Sequence, residues 1–155
     1  MPAVISPLTE AELETATALC LRSKAHWGYD LKFMAACRDE LTLRKDDVAE
    51  GLAVAIREGG TLLGVAQISE GHSQWELEKL FVDPPSIGRG LGARLFDWAT
   101  NKAAEGGGNL LAIAADPDAA AFYRRMGAVD VGVTPSESIP GRNLPLLHYR
   151  IETRP

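Results

Sequence analysis

Residues 80–93 read LFVDPPSIGRGLGA, and this stretch is informative about the fold because it predicts a strand, a glycine-rich loop and the start of a helix in succession. Its three glycines let the backbone adopt positive φ angles and come close to a ligand. The first N–H groups of the helix have no partner inside it, and together with the helix dipole they favour an anion such as pyrophosphate. Arg89 adds a positive charge to this predicted anion site.

The same loop also satisfies the dinucleotide-binding pattern G-x-G-x-x-G/A, at Gly88, Gly90 and Ala93. In that interpretation Asp116, at the end of the following strand, would bind a ribose. Residues 83–86 count against it, because a dinucleotide-binding loop leaves its strand almost directly. A nucleotide-dependent oxidoreductase is therefore a less favoured alternative, and a purely structural glycine turn is another.

A second stretch, DPDAAAFYRRMGA at residues 116–128, follows the next strand along the chain. Its first two residues are typical of a helix start, with a capping carboxylate and a proline at the first helical position. Tyr123 would lie in the middle of this short helix, and Gly127 would end it. The two stretches that carry chemistry are thus separated by a single strand of the buried type.

The rest of the chain predicts elements in the order β-α-α-β-β-β-α-β-α-β-β. Residues 9–12 form a capping box ahead of the first helix, Asp30 would cap the second, and residues 58–60 are typical of a hairpin turn. The expected strands are 4–6, 52–56, 61–68, 75–82, 110–114, 129–133 and 146–151. Hairpin strands mixed with helical crossovers predict an α+β (mixed α/β) fold, with a central mixed, mostly antiparallel sheet flanked by helices.

Composition and charge exclude several classes of protein. The chain has 155 residues, a formal net charge of −5, 46% hydrophobic and 24% charged residues, which predicts one globular domain over residues 1–155. The acidic balance disfavours sequence-independent binding of nucleic acid, which needs a basic surface. The longest apolar run, residues 110–115, is too short to span a bilayer, and the first residues lack the pattern of a signal peptide. We therefore expect a cytoplasmic protein without membrane or nucleic-acid partners.

The two cysteines, Cys20 and Cys37, lie in stretches that predict helices with apolar neighbours. Free cysteines of this kind are usually buried thiols. Neither a C-x-x-C motif nor a histidine at ligand spacing accompanies them, so we expect no metal site.

With both stretches in view, the sequence resembles the GNAT (GCN5-related N-acetyltransferase) superfamily over roughly residues 52–151. The acyl-CoA signature of that family, Q/R-x-x-G-x-G/A, matches at Gly90 and Gly92, while Ile87 stands where Arg or Gln is usual. Asp116 replaces the asparagine that the family has before its last long helix. The remaining pattern, A…(F/L)Y…G, matches at Ala119, Phe122, Tyr123, Met126 and Gly127. The resemblance implies a GNAT-like single domain.

The resemblance also implies that acetyl-CoA binds as a cosubstrate where two parallel strands splay apart. The strand residues before the loop would offer their backbone to the pantetheine and the thioester carbonyl, and the helix start would hold the pyrophosphate. Tyr123 would approach the sulfur. The expected cofactor-binding residues are Leu80, Phe81, Val82, Gly88, Arg89, Gly90, Leu91, Gly92, Ala93, Asp116 and Ala119.

Direct acyl transfer needs a neutral amine and a proton for the leaving thiolate. Because an alkyl ammonium has a pKa of about 10.4, a base must remove a proton. Glu76 and Glu78 lie two residues apart in a strand, on the same face as Leu80 and Val82, and either could act through a water. The offset of Glu76 resembles that of the base in relatives; solvated strand carboxylates are the alternative. Tyr123 could donate the proton to the thiolate, or be a packed helix tyrosine.

Acceptor recognition is expected from two further segments. Trp27 and Tyr29 lie in the link between the first two helices, where simple packing is the alternative. Residues 134–145 join the last two strands and contain Arg142, whose planar guanidinium suits a carboxylate or a phosphate. In the superfamily that connection borders the acceptor side of the cleft. We therefore expect an acceptor with an anionic group beside its amine, although an arginine paired with Glu137 or with nothing is the competing interpretation.

The resulting hypothesis is an acetyl-CoA-dependent N-acetyltransferase that acts on a small-molecule primary amine in a ternary complex. The rival class is a non-catalytic GNAT-like module that binds or senses CoA. The domain could also pair as a homodimer, since many relatives pair through their terminal strands.

Overall fold

The computed structural model describes residues 2–152, which form seven strands and five α-helices. The strands are β1 (Val4–Pro7), β2 (Ala53–Glu58), β3 (Thr61–Ser69), β4 (Gln74–Val82), β5 (Leu110–Ala114), β6 (Val129–Pro135) and β7 (Asn143–Arg150). The helices are α1 (Leu13–Ala25), α2 (Leu31–Leu41), α3 (Lys45–Ala49), α4 (Leu91–Glu105) and α5 (Ala120–Arg125). The mixed α+β class and the succession of strands are confirmed.

The described chain divides into two units. The first contains residues 2–67 and 79–97, and the second contains residues 68–78 and 98–152. The division cuts through β3, β4 and α4, so each of these elements contributes residues to both units. The single domain expected over residues 1–155 stays a prediction.

In the first unit the strands follow the order β1-β2-β3-β4, and the first two pairings are antiparallel. The β2–β3 hairpin turns at Gly59 and Gly60, whose φ angles are +58° and +90°. Two successive left-handed residues match the twist of a two-residue hairpin, and glycine adopts them without steric cost. The fully buried side chains of this unit include Leu19, Cys20, Ile56, Val65, Leu95 and Phe96.

Both cysteines are buried free thiols, as the sequence predicts. Burial raises the pKa of the Cys20 thiol to about 12, because an apolar surrounding disfavours the thiolate. Cys20 is therefore inert as a nucleophile at neutral pH.

In the second unit the strands follow the order β4-β5-β7-β6. β4 and β5 are parallel, with a register from Gln74↔Leu110 to Leu77↔Ile113, and the other two pairings are antiparallel. The ring of Trp75 fixes the chain after α4, because a Cβ at Gly106 or Gly108 would lie 2.3 or 2.6 Å from it. Any side chain at either position would displace the indole.

One helix was not predicted from the sequence, and two predicted helix starts are confirmed. Helix α3 was not predicted, since its five residues are too few to show an apolar period; its first turn is closed by Asp47 Oδ2, which accepts the Arg44 N–H at 2.7 Å. The predicted starts of the first two helices are confirmed, because Glu12 Oε1 accepts the Thr9 N–H at 3.0 Å and Asp30 Oδ1 accepts the Phe33 N–H at 2.8 Å.

Within residues 2–152, no helix combines the length and the apolar character needed to cross a membrane.

Candidate active site

The glycine-rich loop lies in the first unit and has the backbone that the sequence predicts. Gly88 and Gly90 have φ angles of +91° and +76°, and no other group lies within 4 Å of where a Cβ would be at either position. α4 begins directly afterwards at Leu91, with Gly92 and Ala93 in its first turn. Backbone N–H groups at the start of a long helix are thus next to open space, which suits an anion.

Arg89, between these two glycines, forms an ion pair with the end of β2. Its Nη2 donates to Glu58 Oε2 at 2.6 Å, and the two side chains are 44% and 36% exposed. A guanidinium has five N–H groups, so one contact leaves donors for a second anion. This partner could not be predicted from the sequence, because Glu58 lies 31 positions away along the chain.

Residues Leu80, Phe81 and Val82 form the end of β4 and are half-buried. Gly64 in β3 allows a close approach here, because a Cβ at that position would lie 3.0 Å from the Phe81 carbonyl oxygen. The Asp83 N–H then donates to the Leu63 carbonyl at 2.8 Å. The strand is therefore held firmly up to the point where the loop begins.

The two predicted catalytic carboxylates, Glu76 and Glu78, lie in the second unit, on the first half of β4. The Ser69 hydroxyl donates to Glu78 Oε1 at 2.6 Å. The pKa of Glu76 is raised, first by partial shielding of its carboxyl from water and then by the negative charge of Glu78, which also hydrogen-bonds with it. Glu137, from the β6–β7 loop, adds a third negative charge that acts in the same direction. A carboxylate with a raised pKa is a better proton acceptor, as a general base requires.

Tyr123 lies on α5 in the second unit and is only 6% exposed. Burial raises the pKa of its phenol strongly, and the charge of Asp116 raises it further. The phenol therefore keeps its proton at neutral pH and is a weaker acid than an ordinary tyrosine. Its ring packs edge-on against Phe122, with ring centroids 5.2 Å apart.

The predicted helix start is wrong, because α5 begins at Ala120 and its N-cap is Ala119, with no side-chain capping hydrogen bond. Asp116 instead begins the turn before α5 and forms an ion pair with Arg142. Its Oδ1 accepts the Asp118 N–H at 2.9 Å, and its carbonyl accepts the Ala119 N–H at 2.8 Å. Arg142 Nη2 lies 3.7 Å from Asp116 Oδ2, and the two side chains are 20% and 12% exposed. Asp116 is therefore an ion-pair partner of Arg142 that the sequence did not predict. This pair places the β6–β7 loop beside the start of α5.

The aromatic residues expected to contact an acceptor are both in the first unit. Trp27 is 48% exposed, and its ring makes an edge contact with His26. Tyr29 stacks on Phe33, with ring centroids 4.0 Å apart, and Lys24 Nζ lies 5.4 Å from the Tyr29 ring centre. Tyr29 is therefore a packed residue, and Trp27 is the one with a free face. Their role in acceptor binding stays a prediction.

Among residues 2–152, no group of three or more His, Cys, Asp or Glu side chains is arranged to hold a metal ion. The chemistry that these residues offer is proton transfer and the binding of anions.

Comparison with known proteins places these features in a family. The sequence model of the acetyltransferase (GNAT) family matches residues 20–128. The N-alpha-acetyltransferase RimI of Mycobacterium tuberculosis (strain ATCC 25618 / H37Rv) is 41% identical over 85 residues, which are 52% of this chain and 53% of that protein. The chain thus spans about half the length of the curated relative that it matches.

Solved structures have the same fold. The PaiA N-acetyltransferase from Thermoplasma acidophilum, solved with coenzyme A, superposes with a TM-score of 0.81 at 16% identity, over 97% of this chain and 99% of that one. The ribosomal-protein-S18-alanine N-acetyltransferase from Escherichia coli gives 0.72 at 19% identity, over 99% and 97%. At such identities the likeness establishes the fold alone.

Proposed function

The chain belongs to the GNAT acetyltransferase family, and from this premise we propose that it is an acetyl-CoA-dependent N-acetyltransferase acting on a small-molecule primary amine. The observation that carries the proposal is the open glycine loop at the start of α4, with Gly88 and Gly90 in left-handed conformations. Coenzyme A contains a pyrophosphate, and this loop offers backbone donors and Arg89 to it.

The residues of the second unit supply groups for both proton transfers. Glu76, directly or through a water, takes a proton from the ammonium, and the neutral nitrogen attacks the thioester carbonyl. The C–S bond then breaks, and the thiolate of CoA takes a proton from the Tyr123 hydroxyl. The nitrogen gives up its second proton as the amide forms, and a proton returns through solvent to the Tyr123 oxygen. The raised pKa of Glu76 supports its role as the base. Burial raises the pKa of Tyr123 and makes it a weaker acid than an ordinary tyrosine, so its role is proposed from its place in the A…(F/L)Y…G pattern. Glu78 is the alternative base.

Tyr123→Phe should lower turnover by about 10- to 1000-fold, because it removes the proton donor while keeping the ring. The thiol of CoA has a pKa of about 8.5, so its need for a proton is moderate and activity should not vanish. The affinity for CoA, measured by calorimetry, should stay within about twofold of that of the unchanged protein, since the hydroxyl is proposed to act only on the leaving group. Unchanged turnover would make Tyr123 a structural residue.

The acceptor is proposed as a small amine with an anionic group, recognised by Arg142 beside the Asp116 carboxylate. The relatives named above also include an enzyme that acts on a ribosomal protein, so a protein N-terminus is the second candidate. A panel of amines, polyamines, amino acids, aminoglycosides and a peptide with a free N-terminus separates these classes. Turnover of a purely cationic polyamine alone would remove the role of Arg142.

CoA or acetyl-CoA should raise the melting temperature of the protein at sub-millimolar concentration, because a ligand that binds only the folded state stabilises it by mass action. NAD should not, and stabilisation by NAD alone would favour the nucleotide-dependent oxidoreductase instead. Thiol release from acetyl-CoA with the amine panel then separates an enzyme from a module that only binds or senses CoA. We also propose that the protein is cytoplasmic and that it forms a homodimer.

A further inference from the structure

The ion pair between Arg89 and Glu58 joins the proposed pyrophosphate loop to the β2–β3 hairpin. We propose that Glu58 is an affinity-determining residue, whose carboxylate competes with the phosphates of CoA for Arg89. This inference rests on the proposed function, and it concerns a residue outside the loop motif. Glu58 weakens the binding of acetyl-CoA and of the product CoA alike.

Both partners are held in place by the backbone on either side of them. Arg89 lies between two glycines with φ angles of +91° and +76°, which direct the chain sharply around it. Glu58 is the last residue of β2, in register with Thr61 across the hairpin. Because neither residue lies in a long loop, the path of the backbone on either side brings the two side chains together.

The exposure of the pair makes it exchangeable. The two side chains are 44% and 36% exposed, and an ion pair in contact with water contributes little free energy. An arginine–phosphate contact is charge-assisted and can be bidentate, so a phosphate at the loop can displace the single contact from Nη2 to Glu58.

The carboxylate stays near the loop after such an exchange, because the hairpin fixes Glu58. Its negative charge then repels the phosphates. Substrate and product carry the same nucleotide, so the repulsion changes the binding of both equally. Such uniform weakening raises KM for acetyl-CoA and speeds release of CoA without changing the chemical step.

The test is the affinity of Glu58→Gln for CoA, measured by calorimetry on the full chain. We expect CoA to bind Glu58→Gln about three- to tenfold more tightly than it binds the unchanged protein, because the variant lacks the exposed ion pair and one nearby negative charge. KM for acetyl-CoA should fall by the same factor, while kcat does not rise. Glu50→Gln makes the same change of charge at the exposed end of α3 and should leave the affinity within about twofold.

Two further measurements test whether the change in affinity depends on Arg89 and on the phosphates of CoA. In an Arg89→Gln background, Glu58→Gln should tighten CoA binding much less, because the competition needs the guanidinium. Pantetheine, which lacks the phosphates, should bind equally to both forms. Weaker or unchanged CoA binding by Glu58→Gln would overturn the proposal. Absence of CoA binding by the unchanged protein would instead contradict the proposed function, so the two failures are distinguishable.

Discussion

Gly90→Asp should weaken CoA binding by about 100-fold or more, a loss of roughly 2.7 kcal/mol. The substitution places a carboxylate in the open space in front of the loop, where the pyrophosphate is proposed to lie, so the side chain and the pyrophosphate repel each other. Calorimetry with CoA measures the loss directly. Acetyl transfer should fall with it whenever acetyl-CoA is below saturation.

The control for this variant is Gly51→Asp. Gly51 has a φ of +71°, close to the +76° of Gly90, and likewise has no other group within 4 Å of its missing Cβ. Both variants therefore carry a similar backbone strain of about 1–2 kcal/mol, and their melting temperatures should fall alike. If Gly51→Asp lost CoA binding to the same extent, or Gly90→Asp kept it, the loop would not be the pyrophosphate site.

Glu76→Gln should lower turnover by about 10²- to 10⁴-fold at neutral pH, because it keeps the shape of the side chain and removes its ability to accept a proton. The loss should shrink as the pH rises, since the free amine becomes abundant as the pH approaches its own pKa of about 10.4. Rates measured across this pH range with any accepted amine test both statements.

The acid side of the same pH profile tests the environment of Glu76. Its pKa is raised in part by the charge of Glu78, so activity should fall at a higher pH than for an ordinary carboxylate. Glu78→Gln removes that charge, favours the ionised form of Glu76 and should move this fall to lower pH. Glu70→Gln, on the exposed loop after β3, is the control and should change neither the rate nor the profile. Full activity in both Glu76→Gln and Glu78→Gln would assign the deprotonation to solvent or another group.

Helix starts and turns were predictable because their signals act over a few residues. The Thr9–Glu12 capping box and the Asp30 cap each satisfy an N–H group three residues away. The left-handed glycines of the β2–β3 hairpin and of the loop before α4 follow from sequence for the same reason. Helix α3 escaped prediction since a five-residue helix shows no apolar period, and its cap at Arg44 and Asp47 is not a usual pair.

The order of the strands, the glycine loop and the family signature could thus be predicted from the sequence, because all of them depend on neighbours along the chain. The electrostatic partners required the tertiary structure: Arg89 forms an ion pair with Glu58, Arg142 forms one with Asp116, and the negative charge of Glu137 raises the pKa of Glu76. Each of these pairs joins residues from separate elements, such as the ends of β2 and of the loop before α4. Their meeting depends on strand register and on the path of the loops, and neither is encoded in the spacing of residues within one element.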